Sequence, residues 1–416
     1  MITTNTLKRK RDPHPQTNDP NLESATATTT ATTAAMDTIV WQTPTNPPHR
    51  DDYIFHKGMR YVKPYYFEFI CHGKNRWTGK TIVDMFTDEF RGRPRDYYVR
   101  AVKSGRILVG GKTVSIYHRI KSSEKISHFV HRHEPPVMAW DVSVLQEGED
   151  VLTVCKPASI PVHSCGQYRK NTVIGILEAE YGFAPLFPIH RLDRLVSGLL
   201  ILARTASKAD TFRQQIEGGL VKKQYVAKVV GIFPEGEIIF SLQKVVDANI
   251  NHDPREGRSA AEVGDGLADV KLKGKISLTK FRRLHTDGVH SIVQCEPLTG
   301  RTHQIRVHLQ HIGHPIANDN MYLGESISRR STEGRSADRT AAKSGDSLSS
   351  SACENNVELE EESSAEFSID PMCTNCPNLA PQGYGDHEEG LWLHCVRYSG
   401  PDWSYECPLP DWAAHL

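Results

Sequence analysis

The stretch HRLDRLVSGLLILAR, from His190 to Arg204, places four polar or charged side chains in its first five positions and then runs into an apolar segment. Gly198 to Ala203 has the pattern of a strand buried on both faces. Asp193 stands at the mouth of that strand. A surface loop carries such charges harmlessly, and an ion pair with Arg191 or Arg194 explains the carboxylate at least as well as chemistry does. A site that needs a fixed, ionised carboxylate has the same signature. Ser197–Gly198 adds a clue, because a glycine entering a buried strand lets a second backbone pass closely.

The surrounding sequence supplies a sheet. DVLTVCKP, GLLILART, KQYVAKVVG, SLTKFRRL and HSIVQCEP are strand-like, and TVIGILEAEYG, KADTFRQQIEGG and RTHQIRVHLQHIG carry helical patterns between them. This mixture over 135–324, completed by 390–416, predicts an α+β domain around one large mixed sheet. Residues 57–134 read as a smaller unit. TGKTIVDMFTDEF sets Ile82, Met85, Phe86 and Phe90 on one helical face. RDYYVRAVKSG is a second short helix stopped at Gly105, and RILVGGKTVSIY is a hairpin turning at Gly110–Gly111. Residues 1–50, rich in Thr, Ala, Pro and Asn, read as a disordered tail. Residues 325–389, rich in Ser, Glu, Arg and Gly, read as a disordered acidic insertion looping out of the larger domain.

The 416 residues balance 50 basic against 50 acidic side chains, and the balance conceals segregation. Lys57 to Lys121 holds fifteen Lys/Arg against five Asp/Glu, whereas Glu354 to Asp370 holds seven acids and no base. The first segment has the electrostatic footprint of a nucleic-acid binder. Within it Arg95, Arg100, Lys103, Arg106 and Lys112 are candidates to meet a phosphate backbone. No apolar run approaches the roughly 18 residues of a membrane span, and the N-terminus lacks an apolar signal core. Nine cysteines without a regular framework read as free thiols in a reducing compartment, hence cytoplasm or nucleus. KRKR at Lys8–Arg11 reads as a solvated charge cluster in preference to an import signal.

Three motifs are set aside. GKNRWTGKT, Gly73 to Thr81, is one residue too long for a phosphate-binding loop and has Thr78 where the second glycine belongs. His303, His308, His311 and His314 lack an acidic partner and read as packed or RNA-facing groups, not metal ligands. Cys373-x-x-Cys376, with His394, Cys395 and Cys407 downstream, is a better zinc candidate. Lacking a second close pair, it reads as a structural turn with free thiols, and no His-x-Glu element precedes it as a zinc deaminase requires.

Two segments complete the constellation around Asp193. KKQYVAKVVG puts Tyr225 on one strand face with Ala227 and Val229, where an aromatic either packs in a core or stacks on a base. PLTGRTHQIRVHLQHIGHPI is a Pro/Gly loop followed by a helix presenting Arg301, His303, Gln304 and Arg306. Arg306 is a cation able to keep a nearby carboxylate charged.

With HRLDRLVSG, KKQYVAKV and LTGRTHQIRVHLQHIGHPIANDNMY in this order, supported by VCKPASIPVH and LWLHCVRYSGPDWSYECPLPDWA, the chain resembles the RluA family of RNA pseudouridine synthases. The 57–134 unit resembles the alpha-L RNA-binding motif, departing at Gly110 where asparagine is usual. The family resemblance implies a pseudouridine synthase fold with a mainly antiparallel sheet. It implies Asp193 as the catalytic aspartate, Tyr225 as the stacking tyrosine and Arg306 as the basic partner, with no metal or organic cofactor. The substrate expected is RNA, tRNA before rRNA, and the chain is taken as a monomer. Arg191, Arg301 and His303 are placed as RNA contacts, with a surface ion pair an equal reading for Arg191. The family usually has Thr at Val196 and Gly at Asn318, differences expected to alter local hydrogen bonding. Breaking a glycosidic bond builds positive charge on the sugar, and one ionised carboxylate can serve as nucleophile, base or electrostatic stabiliser. The sequence leaves those three open. A non-catalytic RNA-binding protein retaining the fold is the alternative.

Overall fold

The Gly198–Ala203 run does what its composition dictates. Leu199 and Ile201 enter one core cluster, Leu200 and Leu202 another, and all four are fully buried. The structure, a computed structural model, describes residues 47–90, 93–235, 244–247, 249–253, 258–262, 277–323, 367–381, 383–384 and 387–414. The Ser197–Ala203 strand pairs antiparallel with Val151–Lys156 and parallel with Leu393–Ser399. Across the sheet the order is Lys244–Asp247, Leu278–Thr286, His290–Pro297, Lys222–Val230, Leu393–Ser399, Ser197–Ala203, Val151–Lys156 and Ser143–Glu147. Phe187–Pro188 and Ser404–Glu406 add short edges, for ten strands among the described residues. All pairings but one are antiparallel, so the chain is α+β with the large, mainly antiparallel sheet expected.

Helices cover both faces. The helix α3 (Val173–Tyr181) lays Val173, Ile176 and Leu177 on the Leu200 side. On the Leu199 side, α4 (Ala206–Glu217) contributes Phe212 and α5 (Gln304–His311) contributes Ile305 and Leu309. Thr172 and Thr205 cap α3 and α4 by accepting from the N–H groups of Gly175 and Lys208, groups that otherwise lack an intrahelical partner.

Gly198 has φ +113°, and a Cβ there would lie 2.3 Å from the Cys395 carbonyl oxygen of the parallel neighbour. Both the conformation and the space exclude a side chain. Gly198→Ala is therefore expected to destabilise the fold by about 2–3 kcal/mol or more, read by urea unfolding. A stability loss under about 0.5 kcal/mol would mean the two strands separate easily.

In the N-terminal unit, α1 (Ile82–Glu89) and α2 (Arg95–Lys103) precede the Ile107–Val109 and Lys112–Thr113 hairpin. These pack with Tyr65–His72 and Lys125–Arg132 in a four-stranded sheet. Gly110 and Gly111 turn the hairpin at φ +59° and +76°. Ile82, Met85 and Phe86 are buried, but Phe90 falls after α1, at its C-cap, and is 41% exposed.

Three expected boundaries shift. Tyr53–His56 pairs with Met59–Val62, so ordered chain begins before residue 57. The expected division at 134–135 lies within a shared core: Tyr53, Val62, Tyr65 and Phe67 pack in one cluster with Leu200 and Leu202. There the buried Glu134 carboxylate accepts from the Tyr65 hydroxyl at 2.6 Å and from the Arg169 N–H at 2.8 Å. Finally, residues 367–381, read as part of a disordered insertion, are packed. Phe367 and Leu379 meet Ile54, Met59 and Tyr61, and Met372 packs against the N-terminal unit's core. Three apolar residues spread along a polar stretch are enough to anchor it. Residues 1–46, with Lys8–Arg11, and 324–366 lie outside the described residues.

Candidate active site

The loop before the Ser197–Ala203 strand is held by a buried lysine. Lys156 has no exposed surface, and its ammonium donates to the carbonyls of Pro157 (2.8 Å), Arg194 (2.9 Å) and Val196 (2.8 Å). Burial and the nearby Arg194 charge pull its pKa down to about 7. Three convergent acceptors work the other way, since they match the three donors of an ammonium. Arg194 turns into an ion pair with Glu388 and donates to the Ser159 carbonyl. Val196 contributes through its backbone, its N–H reaching the Asp193 carbonyl at 3.0 Å, which a threonine would equally allow.

Asp193 is thereby presented to a cavity of about 390 Å³. Its walls include Arg191, Val196, Lys223, Tyr225, Arg301, His303, Arg306 and Tyr398. The carboxylate is 26% exposed, with Oδ2 3.7 Å from His303 Nε2 and 3.9 Å from Arg306 Nη1. Burial pushes its pKa up, but His303, Arg306, Arg191 and Lys156 outweigh burial and leave it below the ordinary carboxylate value. Of the two ion-pair partners the sequence left open, Arg194 is taken by Glu388, Arg191 still favours the charged carboxylate, and His303 and Arg306 come to it from more than a hundred residues away.

Arg306 is itself positioned. It is 5% exposed, and Asp319, 1% exposed, accepts from Nε at 2.6 Å and from Nη2 at 2.8 Å. Burial opposes the Arg306 charge, but Asp319 and then Asp193 outweigh it and raise its pKa further. This planar double contact fixes the guanidinium so that Nη1 faces Asp193. His303, expected as an RNA contact, also flanks Asp193. It takes the left-handed conformation, φ +56°, at the start of α5, and its Nδ1 meets the Tyr322 hydroxyl at 2.8 Å. A non-glycine residue held there is strained backbone at the reactive end of a helix. Gln304 clamps the preceding loop by accepting from Thr299 Oγ1 (2.8 Å) and donating to Leu278 O (2.9 Å).

Tyr225 lies where its strand periodicity puts it, with Ala227 and Val229 in one core cluster and its ring on the cavity wall. Its hydroxyl bonds Tyr398 at 3.0 Å. Tyr398 in turn stacks on His190 at 4.2 Å and 17°. His190 accepts the Ile201 N–H at 3.2 Å, and burial holds its pKa down at about 3, consistent with the structural role read for it.

The outlying candidates divide. Arg191 and Arg301 are exposed residues on the cavity wall. Arg100, Lys103 and Lys112 are exposed on the N-terminal unit, and Arg95 is exposed in a surface pair with Asp84. Arg106, expected to meet a phosphate backbone, is structural instead: its side chain is 14% exposed and makes a two-point contact with the fully buried Asp370. The four histidines do not converge: His308 is buried against Ser277 and Thr279 hydroxyls, and His314 meets Val230 O.

Lys156, Asp319, Lys223 and Tyr398 escaped the sequence reading. Lys156 and Asp319 sit in the quoted VCKPASIPVH and HPIANDNMY, so position within a motif was the available signal. Asn318, unusual at its position, bridges Gly390 O and the Trp392 N–H through its side-chain amide, at 2.8 and 2.9 Å.

An ionised carboxylate in a walled cavity, beside a tyrosine and two basic neighbours, is able to attack or stabilise developing positive charge. The RNA pseudouridylate synthase family model matches residues 150–311. The chain is 63% identical over 383 residues to RNA pseudouridine synthase 7 of Oryza sativa subsp. japonica, covering 90% of this chain and 95% of the relative. Its identity to RNA pseudouridine synthase 7 of Arabidopsis thaliana is 58% over 411 residues, covering 97% and 100%. It is 36% identical over 380 residues to the mitochondrial tRNA pseudouridine(32) synthase of Saccharomyces cerevisiae, covering 85% and 77%. The chain belongs to the RluA-type RNA pseudouridine synthases, isomerases that convert uridine in RNA to pseudouridine.

Proposed function

We propose that this enzyme isomerises uridine in tRNA and that Asp193 acts at the sugar of the everted nucleotide. The observation that carries the second part is the Asp193 carboxylate, kept ionised beside His303 and Arg306 at the wall of a cavity. A fixed negative charge there stabilises positive charge on the ribose as the glycosidic bond breaks, or attacks the sugar directly. Tyr225 offers the face against which the freed base is retained while it turns. Arg191 and Arg301, exposed at the same cavity, hold phosphates and offset the few kcal/mol that extrusion costs. The tRNA assignment is supported by the yeast relative's name. Mapping pseudouridines in total RNA with and without the gene product tests it: a site lost from tRNA supports the reading, and one lost only from rRNA overturns it.

The exposed cations of the N-terminal unit supply sequence-independent RNA affinity in this reading. Arg100→Ala and Lys103→Ala are each expected to weaken RNA binding and to lower the salt slope of log K by about one. Arg106→Ala is expected to lower folding stability instead, because it leaves the buried Asp370 unpaired. Binding titrations at several salt concentrations, alongside urea melts, separate the two outcomes.

A further inference from the structure

The Lys125–Arg132 strand turns His131 toward the loop carrying Cys373 and Cys376, and His133 follows two positions on. One ligand atom of each residue lies within 4.8 Å of the other three. Cys376 Sγ is 3.2 Å from His131 Nδ1 and 3.5 Å from His133 Nε2, and those two nitrogens are 3.2 Å apart. Tetrahedral zinc, with bonds of about 2.0–2.1 Å to nitrogen and about 2.3 Å to sulfur, separates its ligand atoms by about 3.3–3.8 Å. The three contacts are close to edges of that tetrahedron.

The surroundings are those of a built site. His133 Nδ1 donates to the Leu379 carbonyl at 3.2 Å, which leaves the Nε2 lone pair directed at the cluster. The Asn375 N–H donates to Cys373 Sγ at 3.4 Å. Tyr66 and Phe367 lie against the His131 ring, and the two histidines are 1% and 5% exposed. The sequence alone paired the Cys-x-x-Cys motif with His394, Cys395 and Cys407, and so found no second close pair. The fold supplies one, His131-x-His133, with His133 lying 243 residues upstream of Cys376.

We propose that His131, His133, Cys373 and Cys376 bind one structural zinc ion. Two imidazoles and two thiolates favour zinc over the hard cations, and four protein ligands close the coordination sphere, leaving no position for substrate. None of the four lines the Asp193 cavity. The ion fastens residues 367–381 to the N-terminal unit, in register with the Arg106–Asp370 pair. The same strand of chain continues to Glu388, the partner of Arg194 beside Asp193. A second cluster, Cys155, His394 and Cys407, provides contrast. Both nitrogens of His394 are engaged there, with Ser197 Oγ at 2.9 Å and Pro408 O at 3.0 Å.

The test is metal analysis of the full-length protein produced in zinc-replete medium, followed by cobalt(II) titration of chelator-stripped protein. The expected result is one zinc per chain, unchanged in Asp193→Asn and Cys155→Ser, and reduced at least about tenfold in Cys376→Ser, which removes one of the four ligands and so costs more than losing an outer-shell partner. Cobalt is expected to give the intense visible bands of a tetrahedral thiolate site. The titration uses the wild-type chain, so a poorly folding variant does not decide the question. A wild-type protein that carries no zinc and gives no tetrahedral cobalt spectrum overturns the proposal. So does a Cys373→Ser, Cys376→Ser double variant that keeps one zinc per chain.

Discussion

Asp193→Asn is expected to lower single-turnover pseudouridine formation by about 10³-fold or more while leaving RNA affinity within about threefold of wild type. The substitution keeps the shape and removes the charge. The two neighbours that hold Asp193 ionised, His303 and Arg306, remain, so the cavity keeps its cationic wall and loses only its anion. In the proposed reading RNA affinity rests on exposed cations, Arg191 and Arg301 at the cavity and those of the N-terminal unit, and the change replaces none of them. The sign of the pH dependence follows from the same geometry. Because the folded-state pKa is lowered, the carboxylate is present above its ordinary range and is lost only as pH falls through the depressed value. Asp193 is therefore expected to contribute no limb to the rate profile above about pH 5. A near-wild-type rate in the asparagine variant would remove Asp193 from the chemistry.

Asp319→Ala is the larger test of architecture. Arg306 is 5% exposed, and Asp319 accepts two of its donors. Removing one partner of a buried pair leaves an uncompensated charge, for a loss of about 3–5 kcal/mol. Among the described residues the other acid paired with the guanidinium is Asp193 at 3.9 Å, so Arg306 is expected to collapse onto it and occupy the space a sugar would need. Urea unfolding and single-turnover rates on the same variant should both fall. Unchanged stability would show that Arg306 finds water in place of Asp319, and full activity would show that its position does not matter.

The three groups named from motifs, Asp193, Tyr225 and Arg306, come together at one cavity, because each was read at a defined place on a strand mouth, a strand face or a helix start. The sheet was legible for the same reason: Leu199 to Leu202 have no polar residue to mark an exposed face, and Gly198 announced a close backbone. Partners distant in sequence were not legible. Arg106 looked like any cation in a basic segment, and only the fold brings Asp370 to it across 264 positions. Asp319 sits 13 residues from Arg306, beyond the helix that carries it, and two of the three carbonyls that Lys156 holds lie about 40 residues downstream. Asn318 shows how an uncommon residue is accommodated, since its amide makes two bonds to the 390–392 backbone that a glycine could not. Low-complexity composition also misled at 367–381, where a few well-placed side chains outweigh a polar average.

The most direct measurement is the structure of the Asp193→Asn protein bound to a tRNA carrying its mapped uridine. That uridine is expected out of its stack, with the ribose C1′ within about 3.5 Å of the side chain at position 193 and the base against Tyr225. A bound tRNA with the uridine still stacked, or seated away from that side chain with the cavity unfilled, would contradict it.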